Sequence, residues 1–253
     1  MAHVSISSGC FITHDYEYLR RVMQKTNADS VEIIVYKSII KDMGVLEEHF
    51  KEFEKDIYSL HAPKPVQILL SDPSFHPSAL KILKKAADVA CNLGAPVLVV
   101  HAWDGRFREL PMEEIKGTMS LFSSYAGNMG VNVSIEALPS RCMAPPILVN
   151  ELLSCSEDIT FTLDFEYAAA YDMFDELLLN ADRLSNVHLR DFNGNWMKDG
   201  RRAYLRPGQG DLDFRDLIKR IKSTGYDSAY TIEAPYNKVD DLNEDIGFFN
   251  GII

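Results

Sequence analysis

Positive charge is in short supply in this sequence. Against 37 Asp and Glu there are 26 Lys and Arg, a formal net charge of −11. Nucleic-acid surfaces are usually basic, because neutralising phosphates drives their affinity, so a broad nucleic-acid footprint is disfavoured and only a local patch remains open. Cysteine is scarce too. Cys10, Cys91, Cys142 and Cys155 are scattered with no Cys-x-x-Cys pair, which reads as reduced thiols in a cytoplasmic protein. No run of about 18 apolar residues occurs, so no membrane span is expected. The opening residues Met1-Ala2-His3-Val4-Ser5 show no basic region followed by an apolar stretch, so no secretory signal is expected. No low-complexity segment or linker divides the chain. Its 253 residues match the roughly 250 of one (β/α)8 barrel, and the expectation is a single barrel domain over residues 1–253.

What is present is alternation. Short apolar runs alternate with amphipathic stretches from end to end, the pattern of a parallel sheet with crossover helices. The runs predict eight strands: His3 to Ser7, Ser30 to Val35, Ile57 to His61, Pro96 to His101, Val131 to Glu136, Ile159 to Asp164, Asn186 to Leu189 and Ser228 to Glu233. Between them, Pro77 opens a helix that Gly94 closes, with Leu80, Leu83, Ala87 and Ala90 at helical spacing. Further helices are predicted near Tyr16 to Lys25, from Pro111 to Met129, after Asp213 as cap, and from Leu242 to Ile252.

Six of these runs end in a residue type that binds metals: His61, His101, Glu136, Asp164, His188 and Glu233. One such residue alone is ordinarily a hydrogen-bonded structural side chain or a helix cap. Six are harder to explain that way. In a parallel barrel all C-terminal strand ends share one face, and the six would meet in one cup. Carboxylates gathered there repel one another and lose hydration, a conflict that a divalent cation removes. A mixed imidazole and carboxylate set suits Zn, Mn, Co or Fe better than Ca.

The C-terminal third carries a succession of motifs: Asn-Val-His188-Leu-Arg-Asp191, Arg206-Pro-Gly-Gln-Gly210-Asp-Leu-Asp213-Phe, Thr-Gly225-Tyr-Asp and Thr-Ile-Glu233. In these the chain resembles the xylose isomerase-like barrels, a group of sugar isomerases and epimerases, inositol-catabolism enzymes and endonuclease IV. The resemblance to the epimerase branch implies one divalent ion (Zn, Mn, Co or Mg) held by Glu136, Asp164, His188 and Glu233. It implies Glu136 and Glu233 as the acid/base pair, moving a proton beside a carbonyl through an enediolate. His61 and His101 would line the pocket of a small polyhydroxylated carbonyl substrate. Two positions depart from that branch. Tyr167 stands where those enzymes have His, three residues after the Asp, and Gly194 stands where they have Arg, six after the strand-seven His. The resemblance to endonuclease IV implies a trinuclear site for abasic DNA, but that branch needs the same His at the position of Tyr167 and an Asp-x-His pair in the loop after strand seven, and this loop contains no histidine. That reading ranks second, and a barrel that binds without catalysing ranks third.

The connection Arg190 to Leu212 is long and holds Lys198, Arg201, Arg202 and Arg206 in an otherwise acidic chain. It reads either as a lid for an anionic group on the substrate, with Arg190 and Arg206 in contact with it, or as a solvated loop. Gly208-Gln209-Gly210 lacks the Lys-Ser/Thr of a phosphate loop and reads as a turn into the Asp213 helix. Trp103 is a candidate apolar wall for a sugar ring or a cover for the rim. Glu32 lies inside a strand, and Glu166 faces either the cup or the helices. A homo-oligomer is compatible with all of this.

Overall fold

Along a barrel strand successive side chains point alternately into the lumen and out toward the helices. In β5 (Asn132–Glu136) Val133 and Ile135 join the apolar layer, while Ser134 and Glu136 face inward. In β6 (Ile159–Asp164) Phe161 and Leu163 are outward and Thr162 and Asp164 inward. The outward set is apolar because it is buried against helices, and the inward set is polar. This computed structural model describes residues 1–198 and 200–253, and at Lys198 and Arg201 it describes the backbone alone. The side chains of those two members of the expected cationic loop therefore lie outside the described residues.

The remaining barrel strands are β1 (His3–Ser7), β2 (Ser30–Ile34), β3 (Asp56–His61), β4 (Val97–Val100), β7 (Leu184–Leu189) and β10 (Ala229–Ile232); β8 (Met197–Lys198) and β9 (Arg201–Arg202) form a separate antiparallel hairpin. The eight parallel strands close in the order β1-β10-β7-β6-β5-β4-β3-β2, a (β/α)8 barrel. Each expected strand is present within two residues of its expected ends. Inside, hydroxyls satisfy one another: Ser134 and Thr162 lie 2.6 Å apart, and Ser185 donates to Ser134 at 2.8 Å.

Helices fill the outer ring where sequence signals placed them: Tyr16–Met23, His76–Asn92, Met112–Gly127, Phe214–Ser223 and Val239–Asn250. The Asp213 side chain caps its helix by accepting from the Asp216 amide. A further helix, Pro145–Leu153, is not among those expected, although Pro145 and Pro146 mark its first turn. Pro65–Leu69 and Phe165–Ala170 are also helical and are too short to show periodicity.

The long connection after β7 is fastened at its base by one carboxylate. Asp191 accepts from the amides of Phe192 at 2.8 Å, Gly208 at 2.8 Å, Gly210 at 2.8 Å and Leu212 at 3.1 Å. Gly208 takes φ +82°, and a Cβ at Gly210 would collide with Asp191 Oδ1 and the Phe192 carbonyl. The Gly-Gln-Gly segment is a turn, as expected, and it is wrapped around Asp191.

Candidate metal centre

β5, β6 and β7 carry Glu136, Asp164 and His188 to the C-terminal rim on the inward parity, and Glu233 follows β10 on the same parity. The four offer ligand atoms that all lie within 4.8 Å of one another. His188 Nδ1 is 3.2 Å from Glu233 Oε2, 3.4 Å from Glu136 Oε1 and 4.0 Å from Asp164 Oδ2. It is fully buried yet has no hydrogen-bond partner. A buried ring nitrogen left unpaired among three carboxylates is the arrangement a cation would complete. The donor set of one imidazole and three carboxylates fits Mn, Co, Zn or Mg.

His61 and His101 approach from β3 and the end of β4, and their Nε2 atoms lie 3.3 and 2.5 Å from Glu136 Oε2. They form a second possible ligand group, His61, His101 and Glu136, on the other oxygen of the same carboxylate. Their outer nitrogens are held as well: His61 Nδ1 is 3.0 Å from the Ala62 carbonyl and His101 Nδ1 is 2.9 Å from Gln67 Oε1. Gln67 carries no signal in the sequence, since it sits on the short Pro65–Leu69 helix and belongs to no pattern of its own.

Arg190 lies two residues beyond His188 and continues the inward parity. Its Nη2 is 2.6 Å from Asp164 Oδ2, and its Nε is 3.4 Å from Glu166 Oε2 and 3.9 Å from Glu233 Oε2. The guanidinium stands 4.7 Å over the Tyr167 ring. Glu166 therefore reaches the cup, where its other oxygen accepts from Arg202 at 2.7 Å. Arg202 in turn covers the Trp196 and Tyr204 rings.

Burial and charge set the protonation of these groups in opposite directions. Burial pushes the Asp164 carboxyl up to about 7, beyond what Arg190 offsets, with Glu136 and Glu166 adding to the rise. Burial acts on Glu136 in the same sense, but His101, His188 and His61 outweigh it and hold that carboxyl well below the usual range. At Glu233 burial is outweighed by Arg190 and His188, again downward. His188 is raised well above the ordinary imidazole value, because Glu32, Glu233 and Glu136 overcome its burial. His101 is lowered, chiefly by burial.

Above Glu233 and Arg190 opens a cleft of about 640 Å³, lined among others by Phe11, Tyr36, Lys64 and Tyr204. Two expected pocket residues are elsewhere. Trp103 is 1% exposed and its indole donates to the Pro139 carbonyl at 3.3 Å, so it stiffens the rim from beneath. Arg206 pairs with Asp241 at 3.0 Å and covers the Tyr236 ring, which ties it to the last helix rather than to the cup. With Arg202 and Arg206 both partnered by carboxylates, the described arginines of the long loop do not present a free anion site.

Comparison with known proteins bears on this site. Residues 21–252 match the xylose isomerase-like TIM barrel family. A fructoselysine 3-epimerase of Escherichia coli O157:H7 is 24% identical over 182 residues, covering 67% of this chain and 63% of its own length. An uncharacterized protein of Methanocaldococcus jannaschii is 22% identical over 246 residues, 90% of this chain and 82% of its own. Among solved structures, D-allulose 3-epimerase from Methylomonas sp., in complex with D-allulose, superposes with a TM-score of 0.81 at 16% identity, over 100% of this chain and 97% of that one. A D-tagatose 3-epimerase-like protein gives 0.76 at 20% identity, over 99% and 97%. This chain belongs to the xylose isomerase-like TIM barrel family.

Proposed function

We propose that this protein is a divalent-metal-dependent isomerase or epimerase of a small polyhydroxylated carbonyl compound: a sugar, an inosose or a sugar phosphate. The observation that carries the reading is the convergence of Glu136 and Glu233, from strands separated by two others, on the unpaired Nδ1 of His188. Both carboxyls are held ionised by their neighbours, so either can accept a proton at neutral pH. One takes the proton from the carbon beside the carbonyl, giving an enediolate; the other, once it has taken up a proton from solvent, delivers that proton to the substrate, and the first releases its own to solvent. The bound ion would supply a Lewis acid for the negative charge that builds on the substrate oxygen. Asp164 and His188 would hold the ion with the two glutamates. His61 and His101 orient Glu136 and border the substrate, and Arg190 adds a fixed positive charge. The cleft over Glu233 has the size of a small-molecule site, and Lys64 at its edge suits an anionic substituent. The epimerase names of the fructoselysine, D-allulose and D-tagatose relatives support the same reaction class. The four free cysteines and the absence, among the described residues, of a helix long and apolar enough to cross a membrane are in keeping with cytoplasmic work.

A solvent-deuterium exchange screen tests this, over ketoses, inososes and their phosphates, with Mn, Co, Zn and Mg. Deuterium entering at a carbon next to a carbonyl is the expected result and identifies the substrate.

One observation favours a second reading, an endonuclease IV-like hydrolase of abasic DNA: the additional ligand group His61, His101 and Glu136. Tyr167 in place of the further His and the net charge of −11 weigh against it. Three clustered ions in a metal-soaked crystal, with cleavage of an abasic duplex and no deuterium exchange, would replace the first reading with the second.

A further inference from the structure

Glu32 is wholly buried in the middle of β2, where neither barrel closure nor helix packing calls for a carboxylate. Burying a charge in a barrel lumen is costly unless something specific holds it. Three donors converge on its Oε2: Ser59 Oγ from β3 at 2.8 Å, Asn186 Nδ2 from β7 at 3.2 Å and His188 Nε2 at 3.2 Å. Asn186 is itself fixed, because its Oδ1 accepts from Thr231 of β10 at 2.8 Å. Glu32 is thus clamped by the adjacent strand β3 and by β7 across the barrel, and it presents one oxygen to the back of the candidate metal ligand.

The geometry decides which way His188 faces. A carboxylate oxygen accepts, so the hydrogen of the neutral ring lies on Nε2 and the lone pair on Nδ1. Asn186 Nδ2 also lies 3.3 Å from Nε2; one of its two hydrogens goes to the same Glu32 oxygen, and the carboxylate, as the stronger acceptor, takes the Nε2 hydrogen as well. The other two cup histidines are backed by neutral acceptors, the Ala62 carbonyl and the Gln67 amide; of the three, His188 alone is backed by a carboxylate.

We infer that Glu32 is a positioning residue for the metal centre: by accepting the Nε2 hydrogen of His188 it fixes the ring's tautomer and turns the Nδ1 lone pair toward the ion shared with Glu136, Asp164 and Glu233. The inference rests on the metal site of the proposed function, and it concerns ion affinity rather than the reaction. Outer carboxylates of this kind orient a ligand ring and make it a stronger donor, and their loss ordinarily weakens metal binding about 10- to 100-fold.

The test is a chelator-competition titration of Mn and Zn into metal-free wild type, Glu32→Gln and Glu32→Asp, with melting curves of each. Glu32→Gln should lower affinity about 10- to 100-fold. It should also melt earlier when metal-free, because the buried His188 ring loses a charged partner. A merely structural Glu32 gives only the lower melting temperature, with affinity within twofold of wild type, and that result overturns the inference. If neither variant folds, 15N spectra of zinc-loaded wild type decide: a proton on Nε2 of His188 supports the inference and a proton on Nδ1 ends it. Wild type that binds no divalent ion overturns this inference and the metal-dependent function together, whereas wild-type-like binding by Glu32→Gln removes this inference alone.

Discussion

Arg190 Nη2 lies 2.6 Å from Asp164 Oδ2, so a buried guanidinium pairs with the carboxylate of a candidate metal ligand. Removing one partner of a buried pair strands the other. Arg190→Met leaves Asp164 and Glu166 without this cation and should destabilise the metal-free protein by about 3–5 kcal/mol. A bound divalent ion would also neutralise Asp164, so the metal-loaded protein should lose less. Denaturant titrations with and without chelator measure both, and equal losses would show that the ion and Arg190 do not share Asp164.

The two glutamates differ from every other acid in the cup in being held ionised while facing His188 Nδ1. Glu136→Gln and Glu233→Gln, each assayed at saturating metal, should lower solvent-deuterium exchange by about 10²- to 10⁴-fold, the range of a lost general acid or base. A variant that keeps full turnover takes its glutamate out of the proton path.

Metal binding should depend on pH through Asp164. Burial raises this carboxyl to about 7, so below that pH the folded metal-free protein carries a proton there. That proton must leave before the oxygen can ligate. His188, also raised, must lose its proton too. Apparent affinity should therefore climb as pH rises from about 5.5 through 7, with protons released on binding at pH 6. Calorimetry in buffers of different ionisation enthalpy reads the release directly; an affinity flat over that window would contradict the assigned ligands.

Gly210 sits where any side chain meets the Asp191 carboxylate and the Phe192 carbonyl. Gly210→Ala should cost about 1–3 kcal/mol, as forced overpacking does. The damage should be local, with faster proteolysis within residues 192–212 and unchanged hydrogen exchange in the barrel strands. Cleavage at the wild-type rate would mean that the turn repacks without penalty.

The strands were legible because lumen and outer layer impose opposite chemistry on alternate residues, and the same alternation brought six strand-end residues into one cup. Arg190 shows the limit. It lies one residue beyond β7, where the sequence alone left its direction open, and the inward parity of Asn186 and His188 carries through to it. Trp103 on sequence alone is either a wall for the substrate or a cover for the rim; its indole donates to the Pro139 carbonyl, 36 residues away, and no local pattern encodes that contact, which favours the rim. Arg206 was drawn off by Asp241, again from a distant helix. Glu32 stood out as an acid within a strand, but its three donors come from two other strands, and only barrel closure brings them together.

The clasp formed by Asp191 has a consequence for how such a barrel diversifies. Phe192 at the start of the connection and Gly208, Gly210 and Leu212 at its end hang on one carboxylate, so chain leaving the barrel returns to the same point. Whatever lies between can lengthen, shorten or change composition without pulling on β7 or on the helix that follows. The segment that carries Trp196, Arg202 and Tyr204 over the cup is thus an exchangeable cassette: substrate range can drift there while the ligand geometry beneath stays fixed.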